Sequence, residues 1–316
     1  MLVPTIELMA DHTLIEKVDA VEAIAAASKM GRLIKHPLRY IYAILHRELI
    51  YRVTQQEKEV VSTTFFGVDM HLFLPSSTDI YLTGGKSHLS ETRLAKYLIR
   101  ELRAGDTFVD VGAHYGYFSL LASQLVGNKG KVLSFEASPT TYQILSKNAA
   151  KASNVTCLNR AVSDVNTELT FYEFPNQYSE YNTSEVEQFA NESWYQKHKP
   201  KAIQIETVVL DEYLPSSDIS PSIIKIDVEG AEDKVITGLQ QLLVSNTPTI
   251  IMEYLSEDRG NVQHQAAEQI LKTAGYSAFE IDSEGRPKII ETVPKHLQSK
   301  GLDSDNIVFR KGANHM

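Results

Sequence analysis

One short stretch concentrates two acids, two glycines and a histidine: Asp106-Thr107-Phe108-Val109-Asp110-Val111-Gly112-Ala113-His114-Tyr115-Gly116-Tyr117-Phe118-Ser119. Phe108, Val109 and Val111 form an apolar run of strand type, Gly105-Asp106 breaks the chain before it, and Phe118-Ser119-Leu120-Leu121-Ala122 resumes as a helix. Gly112 and Gly116 let the backbone approach a ligand and adopt dihedrals that a β-carbon forbids. Free amides of such a turn face whatever lies above it, so the chemistry offered is the binding of a nucleotide-like cofactor.

A second strand, Lys131-Val132-Leu133-Ser134-Phe135, ends in Glu136, about twenty residues past the glycine turn, the spacing at which a neighbouring parallel strand sets a carboxylate against ribose hydroxyls. Two adenosine ligands compete for this arrangement. A dinucleotide carries a pyrophosphate and needs G-x-G-x-x-G, whereas S-adenosylmethionine carries none. Here the turn reads Gly112-Ala113-His114-Tyr115-Gly116, with His114 where the dinucleotide fingerprint has its second glycine. Asp110 at the strand end would repel a pyrophosphate but can accept a hydrogen bond from an ammonium group. The balance favours S-adenosylmethionine, with S-adenosylhomocysteine as product.

The third segment is Ser222-Ile223-Ile224-Lys225-Ile226-Asp227-Val228-Glu229-Gly230-Ala231-Glu232, an apolar strand whose end carries a lysine, acids and a glycine. Together with FVDVGAHYGYFSLLAS, VLSFEASPTTYQILSKN, NRAVSD over residues 159–164 and VVLDEYL over residues 208–214, it resembles the FkbM family of S-adenosylmethionine-dependent methyltransferases over residues 80–309. The resemblance implies O-methylation of a hydroxyl on a sugar, glycan or natural-product small molecule.

Ligands of open α/β sheets bind outside the carboxyl ends of the strands, which selects the residues there. Asp110 and Gly112 are expected at the methionine tail, Gly116 at the helix start, Glu136 on the ribose diol, and Ser163 and Asp164 at the adenine amino group. His114 is read as a cofactor contact rather than a proton carrier. Lys225, Asp227, Glu229 and Glu253 cluster near the mouth as candidates for aligning and deprotonating an acceptor, with Asp227, Lys225 and Glu253 the catalytic set. Lys225 is equally readable as one half of a structural ion pair with an acid of the next strand. Asp227 and Glu253, at the ends of neighbouring strands, could hold a divalent ion, but with no clear third ligand the sequence assigns no metal.

Strands and helices alternate around these positions. Core strands are expected from residue 107, at 131–135, 155–161, 223–227, 249–253, 278–281 and 306–309, giving an α/β, doubly wound Rossmann-like methyltransferase sheet of seven strands with the last one antiparallel. Residues 168–174 and 203–209 add extended segments. Before the sheet, residues 14–30 and 37–51 read as helices and residues 56–74 as a β-hairpin turning near Gly67. The division is residues 1–78 as an N-terminal extension and 79–316 as the methyltransferase domain. The long connection 175–201, with Tyr178, Tyr181, Phe189, Trp194 and Tyr195, reads as a lid over the acceptor or as an ordinary packed helix.

A net charge of −9 over 316 residues argues against nucleic acid, which demands a basic surface. The exception is a basic cluster between Lys29 and Arg52, where two amphipathic helices could serve a homo-oligomer contact, a membrane-surface contact or a cover for the acceptor cleft, with plain core packing as the alternative. Cys157 is the single cysteine, which excludes an intramolecular disulfide. No stretch reaches transmembrane length and the N-terminus lacks the charge and apolar run of a signal peptide, so a cytoplasmic enzyme is expected. A nicotinamide-dependent oxidoreductase and a non-catalytic cofactor-binding scaffold remain the competing readings.

Overall fold

The computed structural model describes residues 3–190 and 194–312; residues 1, 2, 191–193 and 313–316 lie outside the described residues. The chain begins with α1 (Val3–Ala26), which turns Val18 and Val21 inward, and α2 (Lys29–Lys35), whose N-cap Ser28 accepts the Gly31 N–H at 3.2 Å. Next is α3 (Pro37–Leu45), opened by a proline whose missing N–H is no loss in a first turn. It continues through a π-helical turn (His46–Tyr51) into α4 (Arg52–Thr54). The expected hairpin forms from β1 (Lys58–Thr63) and β2 (Asp69–Leu74), antiparallel, with Thr63 opposite Asp69. Strand alternation turns Met70, Leu72 and Leu74 to one side, and all three are fully buried.

The remainder runs α5 (Thr78–Thr83), α6 (Leu89–Glu101), β3 (Thr107–Val111), α7 (Tyr117–Val126), β4 (Lys131–Phe135), α8 (Pro139–Ala149), β5 (Val155–Leu158), β6 (Ala161–Val162), β7 (Glu168–Glu173), β8 (Lys201–Val208), α9 (Leu210–Ser216), β9 (Ile223–Ile226), α10 (Glu232–Thr237), α11 (Gln240–Ser245), β10 (Thr249–Leu255), α12 (Val262–Thr273), β11 (Tyr276–Ile281), β12 (Pro287–Ile289), α13 (Val293–Lys300) and β13 (Ser304–Lys311). The main sheet has the order β12-β11-β13-β10-β9-β3-β4-β5. From β5 through β10 neighbouring strands are parallel, and β13 inserts antiparallel between β10 and β11.

The fold class is therefore the expected α/β sheet, but it holds eight strands rather than seven, and two of them, β13 and β12, run antiparallel to their neighbours. The missed strand, Pro287–Ile289, is a three-residue edge led by proline, too short to show a period and carrying the residue that marks edges. A second difference lies at residues 155–161, expected as one strand. Asn159 turns its amide onto the carbonyls of Glu136 and Ala137 at 2.9 Å each, the ladder stops at Leu158, and Ala161–Val162 joins a separate sheet of order β6-β8-β7.

Both faces of the parallel strands are buried, which is why they read as apolar runs rather than alternating ones. Val109, Leu133, Ile224 and Ile250 face one core cluster with α10 and α12, whereas Phe108, Val132, Ile223 and Ile251 face the other. Val18 of α1 and Met70 and Leu72 of the hairpin belong to that second cluster, together with Leu94 and Tyr97 of α6. The N-terminal segment thus shares a core with the sheet. Each such fully enclosed side chain contributes about 1.5–3 kcal/mol. Lys96 of α6, almost fully buried, ties α1 down through Asp19 at 2.6 Å and Glu22 at 3.1 Å.

Candidate active site

A cavity of about 660 Å³ opens at the carboxyl ends of β3, β4, β9 and β10, and Gly112, Glu136, Asp227 and Glu253 line it. Its volume falls within the range of small-molecule and cofactor sites.

The turn after β3 is held on the end of β4, where the Phe135 carbonyl accepts the amides of both Gly112 and Ala113 at 3.0 Å. Gly112 has φ +80°, and a β-carbon there would come within 1.7 Å of the Asp227 carbonyl oxygen, so glycine is demanded by the neighbouring strand end as well as by the dihedral. Gly116, at φ +86°, starts α7 where a β-carbon would press on Leu145. His114 adopts φ +50°, and its amide donates to Glu136 Oε2 at 2.9 Å. Its ring stacks on Tyr115 with centroids 3.9 Å apart, and Nε2 lies 2.8 Å from Ser179 Oγ. Burial lowers its pKa to about 3, so the imidazole is neutral and a poor base near neutrality.

Glu136 accepts from two backbone amides, Ser138 at Oε1 and His114 at Oε2, each at 2.9 Å. Each oxygen keeps a further lone pair for a donor in the cavity. Burial nonetheless raises its pKa to about 7, against those amides.

Asp110 and Lys225 sit opposite each other in the register of β3 and β9. That places Lys225 Nζ 3.6 Å from Asp110 Oδ1 and 3.1 Å from Asp227 Oδ2. Asp110 Oδ2 also accepts from Ser119 Oγ at 2.6 Å. The sequence put Asp110 at the methionine tail, but its carboxylate is 1% exposed and stands behind the cavity wall, because its side chain points to the face covered by α7. Lys225 pairs with Asp227 at its own strand end and with Asp110 of the neighbouring β3. Burial works against its charge, but Asp227 and Asp110 outweigh it and raise the pKa, so Lys225 is a held cation.

Asp227 and Glu253 stand side by side just past the Ile226–Met252 pair where the parallel pairing of β9 and β10 stops, but only Asp227 lies at a strand end, because β10 runs on to Leu255 against β13. The burial of Asp227 would raise its pKa, yet the ammonium groups of Lys225 and Lys86 bring it below the ordinary value, aided by a hydrogen bond from Glu253. Burial and the charge of Asp227 push Glu253 up to about 8. The two share a proton that rests on Glu253. Glu229 joins them at φ +54°, so that one carboxylate oxygen from each of the three lies within 4.8 Å of the others. Such a set could hold a cation. Burial and the neighbouring acids raise the Glu229 pKa well above its ordinary value.

Ser163 follows β6 and lines the cavity, whereas the adjacent Asp164 is exposed and accepts from Ser163 Oγ at 3.1 Å. The sequence paired them at the adenine; the strand stops at Val162, and of the two only Ser163 lines the cavity. Lys86, missed in the sequence because it lies between elements, also lines the cavity. Glu91 and Glu180 outweigh the burial cost and keep it protonated, and it shares the Phe118 ring with Lys225, at 5.9 Å and 5.6 Å. Gly84-Gly85 just before it was the available signal of a turn.

The 175–201 connection contains 3₁₀ turns at Asn176–Tyr181 and Val186–Phe189 in place of a continuous helix. Phe174, Val186 and Phe189 form a small core of its own, and Tyr178 stacks on Trp194 at 5.0 Å. The aromatic rings therefore pack chiefly on one another. Tyr181 lines the cavity with Ser179 and Glu180, and Thr183 Oγ1 donates to the Glu229 carbonyl at 2.6 Å.

The sequence model of the FkbM methyltransferase domain matches residues 110–278. The hexuronic acid methyltransferase AglP of Haloferax volcanii is 25% identical over 185 residues, which cover 58% of this chain and 70% of that protein. Among solved structures, an FkbM methyltransferase from Methylobacillus flagellatus KT is similar with a TM-score of 0.38 and 14% identity, covering 74% of this chain and 52% of that one. An S-adenosylmethionine-dependent O-methyltransferase from Thermotoga maritima has a TM-score of 0.38 and 12% identity over 84% of this chain and 83% of its own. The nicotinamide and scaffold readings fall away, because the matched span exceeds half the chain and takes in the glycine turn, Glu136 and the end of β9: the protein belongs to the FkbM family and is an S-adenosylmethionine-dependent methyltransferase.

Proposed function

We propose that the protein methylates a hydroxyl of a sugar, glycan or natural-product small molecule, and that an acidic sugar is the acceptor. S-adenosylmethionine, when bound, supplies a methyl group already activated on a sulfonium. The chain's residues suit it: Glu136 is enclosed with lone pairs directed to the cavity, and the glycine turn leaves room beside it. In this reading Glu136 accepts both ribose hydroxyls, Gly112, His114 and Gly116 shape the floor, and Ser163 meets the adenine. Asp110 acts through Lys225 rather than by contact, and Asp164 through Ser163.

The observation that carries the reaction is Asp227 at the cavity wall with Lys225 Nζ 3.1 Å from its Oδ2, a cation that with Lys86 holds its carboxyl below the ordinary value. Asp227 is placed to orient the acceptor hydroxyl and take its proton; the bound cofactor would supply the methyl carbon to that oxygen and keep the carbon–sulfur electron pair on sulfur. Lys225 is then a positioning residue and Glu253, protonated, the donor that steadies the Asp227 carboxylate. Alignment supplies most of the acceleration, the base about 10²–10⁴-fold. An acidic acceptor is supported by the AglP relative and by Lys86, Arg160, Lys234 and Arg259 along the cavity, although Lys86, Arg160 and Lys234 also contact Glu91, Glu206 and Glu185.

The test is incubation with S-adenosylmethionine and a panel of uronic-acid saccharides, neutral saccharides and phenolic natural products, read by mass spectrometry and NMR. A methyl ether on a uronic-acid saccharide is expected. Methylation confined to nitrogen or carbon would defeat the O-methyl assignment, and equal transfer to neutral sugars would defeat the acidic acceptor.

A further inference from the structure

Large apolar side chains are exposed in one region above all. Met30, Ile34, Leu38, Ile41, Leu45 and Leu49 are exposed, Leu38 at 83%. In α3 the spacing Leu38, Ile41, Tyr42, Leu45 is that of one helical face, while Ala43 and His46 are buried against the body of the protein. A patch of this kind on a soluble surface marks an interaction site.

The charge of the segment identifies the partner. Residues 29–52 hold Lys29, Arg32, Lys35, Arg39, Arg47 and Arg52 against Glu48 alone; six less one is a net +5, which leaves −14 on the rest of a chain whose total is −9. Lys29, Lys35, Arg47 and Arg52 are exposed beside the apolar face. Arg39 is anchored instead, donating to Ser62 Oγ and the Tyr81 carbonyl at 3.3 Å each. A second copy meeting this face by two-fold symmetry would set +5 against +5. An anionic lipid surface satisfies both the apolar side chains and the cations around them. No described helix is long and apolar enough to cross a membrane. We propose that α2, α3 and the turn after them dock the enzyme in the plane of an anionic membrane surface. The same segment rests through Arg39 on α5, whose Asp79 and Ile80 line the cavity, so docking brings that wall of the active site next to the lipid.

Flotation with phosphatidylcholine vesicles, with and without an equal part of phosphatidylglycerol, tests this on the full chain. The protein is expected to float with the anionic vesicles, to stay behind with the neutral ones, and to be released by high salt. Leu38→Asp and Leu45→Asp, both at exposed positions, should each weaken partitioning by about tenfold while leaving S-adenosylhomocysteine binding unchanged. Absence from the anionic vesicles overturns the proposal, as does equal flotation with neutral ones. A dimer in sedimentation velocity that the same substitutions split, with no lipid binding, would overturn it in favour of a second copy.

Discussion

Lys225 Nζ stands 3.1 Å from Asp227 Oδ2 and 3.6 Å from Asp110 Oδ1, an almost fully buried cation between one acid at the cavity and one behind it. Removing a single member of such a group leaves an uncompensated charge. Lys225→Met is expected to lower stability by about 3–5 kcal/mol in denaturant unfolding. Unchanged stability would show that the lysine is dispensable to the strand ends.

Asp227→Asn keeps the shape and leaves Lys225 its pair with Asp110. Turnover should fall by about 10²–10⁴-fold with S-adenosylhomocysteine affinity unchanged by calorimetry. A variant that retains full turnover removes Asp227 from the base role.

Glu136→Ala should weaken cofactor binding by about 1.5–3 kcal/mol for each charged hydrogen bond lost, and Glu136→Gln by less. The carboxyl titrates at about 7, and hydroxyl donors prefer its ionised form. Affinity of the wild type should therefore rise with pH through about 7 and level off above it, a slope that Glu136→Gln abolishes. A pH-independent affinity in the wild type would separate Glu136 from the ribose.

Glu253 gives a stability signature of opposite sense to an ordinary ion-paired acid. Its folded pKa of about 8, raised by burial and by Asp227, lies above the usual carboxyl value, so the fold keeps a proton that the unfolded chain releases. Stability contributed by the protonated form is complete below the unfolded pKa and is lost as pH rises towards about 8. Glu253→Gln should thus melt higher than the wild type at mildly alkaline pH and at the same temperature in acid. The reverse order would mean that Glu253 is ionised in the fold.

The three carboxylates of Asp227, Glu229 and Glu253 supply the third ligand that the sequence lacked. Two ammonium groups already balance Asp227, and Glu229 and Glu253 are held towards their protonated forms. Turnover is accordingly expected to survive excess EDTA and to gain nothing from magnesium. Activity abolished by EDTA and restored by magnesium would make the trio a metal centre.

What the sequence determined by itself is what depends on neighbours in the chain. Phe108 to Phe118 passes from an apolar run to a glycine turn to a helix, and Glu136 follows at the spacing of the next parallel strand, so the family, the cofactor and the carboxyl-end location were legible from local pattern. Tertiary structure decided which side chains face the cavity. Asp110 looked like a contact, but its carboxylate is taken up by Ser119 of α7 and by Lys225 and does not line the cavity, and of Ser163 and Asp164 only the serine does. Glu229 reaches Asp227 and Glu253 through a left-handed backbone that no periodicity announces, and Lys86 arrives from a loop far away in the chain. Residues 1–78, read as an extension, place Val18, Met70 and Leu72 in the core of the sheet. Strand direction and apolar runs are set by contacts a few residues apart, whereas facing, pairing and proton sharing depend on distances between segments that the chain order does not contain.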